Sequence, residues 1–61
     1  MGRDYDLFEI FPDRSVRWRE TVSGHEDAIR KLQEVATHTT NELQLIDERS
    51  GTLIATLNAP K

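Results

Sequence analysis

The spacing of apolar residues changes character along this chain. Phe8 and Ile10, then Val16 and Trp18, alternate with polar residues on either side of Phe11-Pro12-Asp13-Arg14-Ser15. Ala28, Ile29, Leu32, Val35 and Ala36 then recur at three- and four-residue steps, after which Leu43, Leu45, Leu53, Ala55 and Leu57 alternate again around Arg49-Ser50-Gly51. Alternation marks half-buried strands, and the longer steps mark an amphipathic helix. The pattern predicts strands over about 4–11, 15–22, 42–48 and 52–58, with a helix over about 24–38 between the two hairpins.

Turn chemistry sets the expected registers. Proline at the first central position and Asp13 after it suit a type I turn, and Arg14 then falls where a positive φ is required. Closing on Phe11 and Ser15 pairs Ile10 with Val16, Glu9 with Arg17, Phe8 with Trp18 and Leu7 with Arg19. In the second hairpin Gly51 takes the positive-φ position. Closing on Glu48 and Thr52 pairs Asp47 with Leu53, Ile46 with Ile54, Leu45 with Ala55 and Leu43 with Leu57.

Those registers assign faces. Phe8, Ile10, Val16 and Trp18 gather on one side of the first hairpin, which is read as core; Tyr5, Leu7, Phe11, Glu9, Arg17 and Arg19 take the other. In the second, Leu43, Leu45, Leu53, Ala55 and Leu57 are read as core, opposite Gln44, Ile46, Ile54, Thr56 and Asn58. Ser23-Gly24-His25-Glu26 has the form of a capping box. The helical apolar positions fall within an arc of about 120°, the width of a core-facing stripe. Glu26 with Arg30, and Asp27 with Lys31, are spaced for i,i+4 pairing, and Asn41 suits a left-handed exit from the helix. The expected architecture is an α+β ββαββ fold: one antiparallel sheet in the order 2-1-3-4 (runner-up 2-1-4-3), with one helix on one face. Residues 1–61 form a single domain.

A helix on one face leaves the other open. The sequence places Tyr5, Leu7, Phe11, Ile46 and Ile54 there as a candidate partner interface. Size strengthens the expectation: domains of about 60 residues bury only about 60% of the surface their unfolded chains expose, and this one has no cysteine to staple it. A second copy of the chain, meeting face to face or edge to edge, is the simplest partner, making a homodimer; another protein is the broader reading.

The charge of −3 argues against a nucleic-acid or anionic-membrane footprint. Arg14, Arg17 and Arg19 along one hairpin nevertheless make a nucleic-acid-binding module the alternative reading. The polar start Met1-Gly2-Arg3-Asp4 lacks a signal-peptide pattern, and no apolar run suits a membrane span, so a cytoplasmic location is expected.

Candidate chemistry is sparse. His25 and His38 lie about 20 Å apart along a helix and about 220° around it, too far to share a metal ion. Ser15 and Ser50 belong to turns, Ser23 to the expected cap, and no nucleophile elbow or phosphate loop is present. No catalytic residue, cofactor, metal or small-molecule substrate is inferred, and the chain is not read as an enzyme.

Phe8-x-x-Phe11-Pro12-Asp13-x-Ser15-Val16-x-Trp18, together with Thr40-Asn41-Glu42, resembles a set of very short bacterial proteins of uncharacterised function. In that set glycine often stands where this chain has Arg14. The resemblance implies a bacterial, cytoplasmic protein with the ββαββ fold, and it brings no site residues. The sequence thus reads as a small protein–protein interaction module.

Overall fold

The computed structural model describes residues 3–59. Met1, Gly2, Pro60 and Lys61 lie outside them, and with them part of the polar start. The elements follow in the order β1 (Asp4–Ile10), β2 (Val16–Ser23), α1 (His25–Ala36), β3 (Glu42–Asp47) and β4 (Leu53–Leu57). The strands form one sheet in the order β2-β1-β3-β4, every neighbouring pair antiparallel. Helix α1 covers one face.

The first turn forms as its residues require. The Phe11 amide donates to Ser15 O at 2.8 Å and the Arg14 amide to Phe11 O at 2.9 Å. Arg14 has φ 74°. Asp13 Oδ1 accepts from the Ser15 amide (2.9 Å) and hydroxyl (2.6 Å), and these bonds hold its carboxyl below the usual range. The second turn closes one residue earlier on the β3 side, with the Asp47 amide donating to Thr52 O at 2.9 Å and Gly51 at φ 73°.

Both hairpins depart from an unbroken register. In the first, Ile10, Glu9 and Phe8 face Val16, Arg17 and Trp18, but Leu7 faces Glu20, leaving Arg19 as an extra residue. In the second, Leu43 and Leu45 face Leu57 and Ala55, but Ile46 faces Leu53, so Ile54 is the extra one. A bulge inserts one residue on one strand and shifts the alternation beyond it. The expected pairs Leu7–Arg19, Ile46–Ile54 and Asp47–Leu53 therefore do not form.

The helix lies on the side opposite to the one expected from the first hairpin. The core is Tyr5, Leu7, Ala28, Leu32, Val35, Leu43 and Leu45, with Val22, Ile29, Ala36, Ile54, Ala55 and Leu57 packed around it. The bulge at Arg19 brings Val22 onto the helix side, opposite Tyr5. The bulge at Ile54 brings that residue to the core and leaves Leu53 exposed. Tyr5 and His25 also meet edge to face, their ring centroids 5.8 Å apart, an aromatic contact of favourable geometry.

The helix ends differ from expectation too. Gly24, at φ 91°, is the cap residue and no side chain caps the helix. Ser23 instead ends β2, its hydroxyl donating to Asp4 Oδ1 at 2.6 Å. The capping box fails because Gly24 must make the left-handed step that carries the chain from the sheet edge over the Tyr5 face. The expected i,i+4 pairs give way to Arg30–Asp27 at 3.0 Å and Lys31–Glu34 at 3.1 Å. Asn58, at φ 57°, takes the left-handed conformation expected of Asn41. Its amide donates to Thr39 O at 3.0 Å and Asn41 O at 3.3 Å, tying the end of β4 to the helix exit.

Candidate functional site on the open face of the sheet

Opposed residues of antiparallel strands share a face, so the register lays out the uncovered side in rows. One row runs Val16, Ile10, Glu42; the next Trp18, Phe8, Gln44, Thr56; the third Thr21, Asp6, Ile46, Leu53. Asp4 and Ser23 close the end. Val16, Trp18 and Leu53 are 60%, 56% and 51% exposed, while Phe8, Ile10 and Ile46 are half-buried among their neighbours. The polar members of the rows bond across the face. Asp6 Oδ1 accepts from the Thr21 hydroxyl at 2.6 Å and, at 3.4 Å, from the Trp18 indole N–H. Gln44 donates to Glu42 at 3.1 Å.

The expected interface residues are thus largely redistributed. Tyr5 and Leu7 lie under the helix, 5% and 0% exposed. Ile54 packs against the core, and Phe11 sits half-buried beside the first turn. Ile46 alone of the five lines the middle of the open face. Conversely, Phe8, Ile10, Val16 and Trp18, expected as core, form most of it. The cause is the register of β1 on β3: Leu7 lies opposite Leu45 and Glu9 opposite Leu43, so the side of β1 that meets the core leucines of β3 is Tyr5-Leu7-Glu9.

That choice buries a carboxylate. Glu9 is 4% exposed, and a buried charge persists only when paired and bonded. The Asn41 amide donates to Glu9 Oε2 at 2.8 Å, the Thr39 hydroxyl to the same oxygen at 2.9 Å, and Arg19 to Oε1 at 2.5 Å. The Asn41 bond does most to hold the Glu9 carboxyl below its ordinary value; burial opposes it, and Thr39 and Arg19 add to it. At the other end of the sheet Asp47 is 1% exposed. Burial pushes its carboxyl up, but bonds from Arg3 and from the Arg49 and Ser50 amides outweigh that and bring it down. Among the described residues no buried side-chain nitrogen or oxygen lacks a partner. These carboxylates are satisfied structural groups.

The three arginines of the nucleic-acid reading do not converge. Arg14 belongs to the turn, Arg19 is bound to Glu9, and Arg17 faces Glu9 on the helix side. Trp18 stands on the other side of the strand. Among the described residues no group of three or more His, Cys, Asp or Glu could hold a metal ion, and no helix is long and apolar enough to cross a membrane.

No protein-family model, curated protein or solved structure matches this chain.

Proposed function

We propose that this protein is a protein–protein interaction module whose working surface is the open sheet face. The observation that supports the reading is the exposure of Val16, Trp18 and Leu53 beside half-buried Phe8, Ile10 and Ile46. Isolated apolar residues on a surface need no explanation, whereas a contiguous group across adjacent strands marks an interaction site. Tryptophan in such a group is a common anchor of binding energy.

Position-specific photocrosslinking tests this. A benzophenone amino acid replaces Trp18 in one variant and Gln33, exposed on the helix, in another. Expressed in the cells the chain comes from, the position-18 variant is expected to give discrete protein adducts that position 33 does not. Adducts of twice the mass of the chain would identify a second copy as the occupant. Equal or absent adducts at the two positions would show that the face is ordinary surface.

A further inference from the structure

The charges of this molecule are segregated by face. On the open side stand three carboxylates, Asp4, Asp6 and Glu42, by the register of their strands. No lysine or arginine among the described residues stands with them. Arg17 and Arg19 turn toward Glu9, and Arg3 toward Asp47; Arg30 and Lys31 are on the helix, and Arg14 and Arg49 are in the turns. The side chains on this face that bond the acids, Ser23, Thr21, Trp18 and Gln44, are all neutral. The surface is therefore an apolar strip bordered by negative charge that no described residue on its own side neutralises.

This constrains the occupant. Where another layer covers the exposed face of a sheet, it is a second sheet or a helix. A second sheet supplied by another copy would bring the same three carboxylates and, among the described residues, again no cation, so desolvating the contact would leave the acids unpaired. A helix with an apolar stripe flanked by lysine or arginine meets both features together. Resting on the reading of the open face as the working surface, we infer that its occupant is a basic amphipathic helix of another protein. Bound there, it would make a three-layer arrangement with α1 on the far side. Its cations would meet Asp6 and Glu42, and its apolar stripe would cover Trp18 and Phe8.

Trp18 is the sole tryptophan, which makes it a reporter placed at the site. The probes are two synthetic amphipathic helices of equal length, one of leucine and lysine and one of leucine and glutamate. The lysine peptide is expected to shift Trp18 emission to shorter wavelength and to bind more weakly as salt rises; the glutamate peptide should do neither. Asp6→Asn/Glu42→Gln should weaken the lysine peptide about three- to tenfold. Glu26→Gln/Glu34→Gln removes the same charge from the outer side of the helix and should change binding by less than about twofold. Should the first double variant not fold, Glu42→Gln alone carries the comparison.

Equal affinity for the two peptides, equal loss in the two double variants, or no binding of the lysine peptide would overturn the inference. So would a sedimenting dimer whose formation shifts Trp18 emission, because a second copy would then hold the face. Equal affinity for both peptides would leave the interaction-module reading in place; that reading fails only on the crosslinking result.

Discussion

Leu7 and Trp18 show how far burial, rather than hydrophobicity, decides what a side chain contributes. Leu7 is fully buried and Trp18 is more than half exposed. Leu7→Lys places an unpaired ammonium under the helix, and circular dichroism should show no folded state. Leu32→Ala should cost roughly 2–5 kcal/mol, enough to unfold most of so small a domain. Trp18→Ser should change stability by no more than about 0.5 kcal/mol; a loss as large as that of Leu32→Ala would mean that the indole is part of the core. Glu9 and Asp47 make the fold sensitive to acid. Their carboxyls lie below the ordinary 4.5 and 3.8, so the stability they confer is present above those values and is lost as pH falls through the lowered ones. The melting temperature should hold from neutral pH to about 5 and then drop. Glu9→Gln should melt lower at neutral pH, with Arg19 left without its carboxylate, and should fall less steeply in acid. Parallel acid limbs for the two proteins would show that Glu9 is not responsible. One signal for the correct face was present in the sequence: Asp4 and Asp6 share the alternation of Phe8 and Ile10, and two acids are costly on a core face. Glu9 on the other side masked it, because its partners Thr39 and Asn41 are some 30 residues distant, at 30 and 32 positions.

At the level of elements, the sequence was legible in the turns and in the middle of the helix, where structure is local, and not at the helix ends. The Pro12-Asp13 turn, the positive φ at Arg14 and Gly51, and the apolar stripe of α1 all follow from residues within a few positions of one another. The two bulges were not legible, since an extra residue in a strand is stabilised by the neighbouring strand and by the layer that covers it. Arg14 offers a direct test of the local reading. Its backbone is one that side chains other than glycine enter at a cost, so Arg14→Gly should raise stability by up to about 1 kcal/mol. Gly24→Ala should lower it by about as much or more, since Gly24 makes its left-handed step with only Asp27 near its missing Cβ. A neutral Gly24→Ala would mean that the β2–α1 connection is not fixed by that step.

For the whole molecule, strand order followed from polarity. The expectation that a charged β2 takes an edge and β1 the interior matches the observed β2-β1-β3-β4 sheet. Which side the helix covers did not follow, because it depends on how one hairpin is set against the other, and that is a contact between segments far apart in the chain. The candidate site inherits this. Its existence was visible in the single-helix plan, while its residues were assigned to the wrong side of the first hairpin.

The bulge at Arg19 has an evolutionary consequence. A strand has only two phases, and one added or removed residue exchanges them for everything beyond that point unless a bulge takes up the difference. Loss of the Arg19 codon alone would remove the bulge and leave Leu7–Glu20, Asp6–Thr21 and Tyr5–Val22 as pairs, so Val22 stays on the helix side and Trp18 on the open one. A lineage of such short chains can thus gain or lose a residue at this point without turning the strand over, what is lost being the Arg19 bond to Glu9.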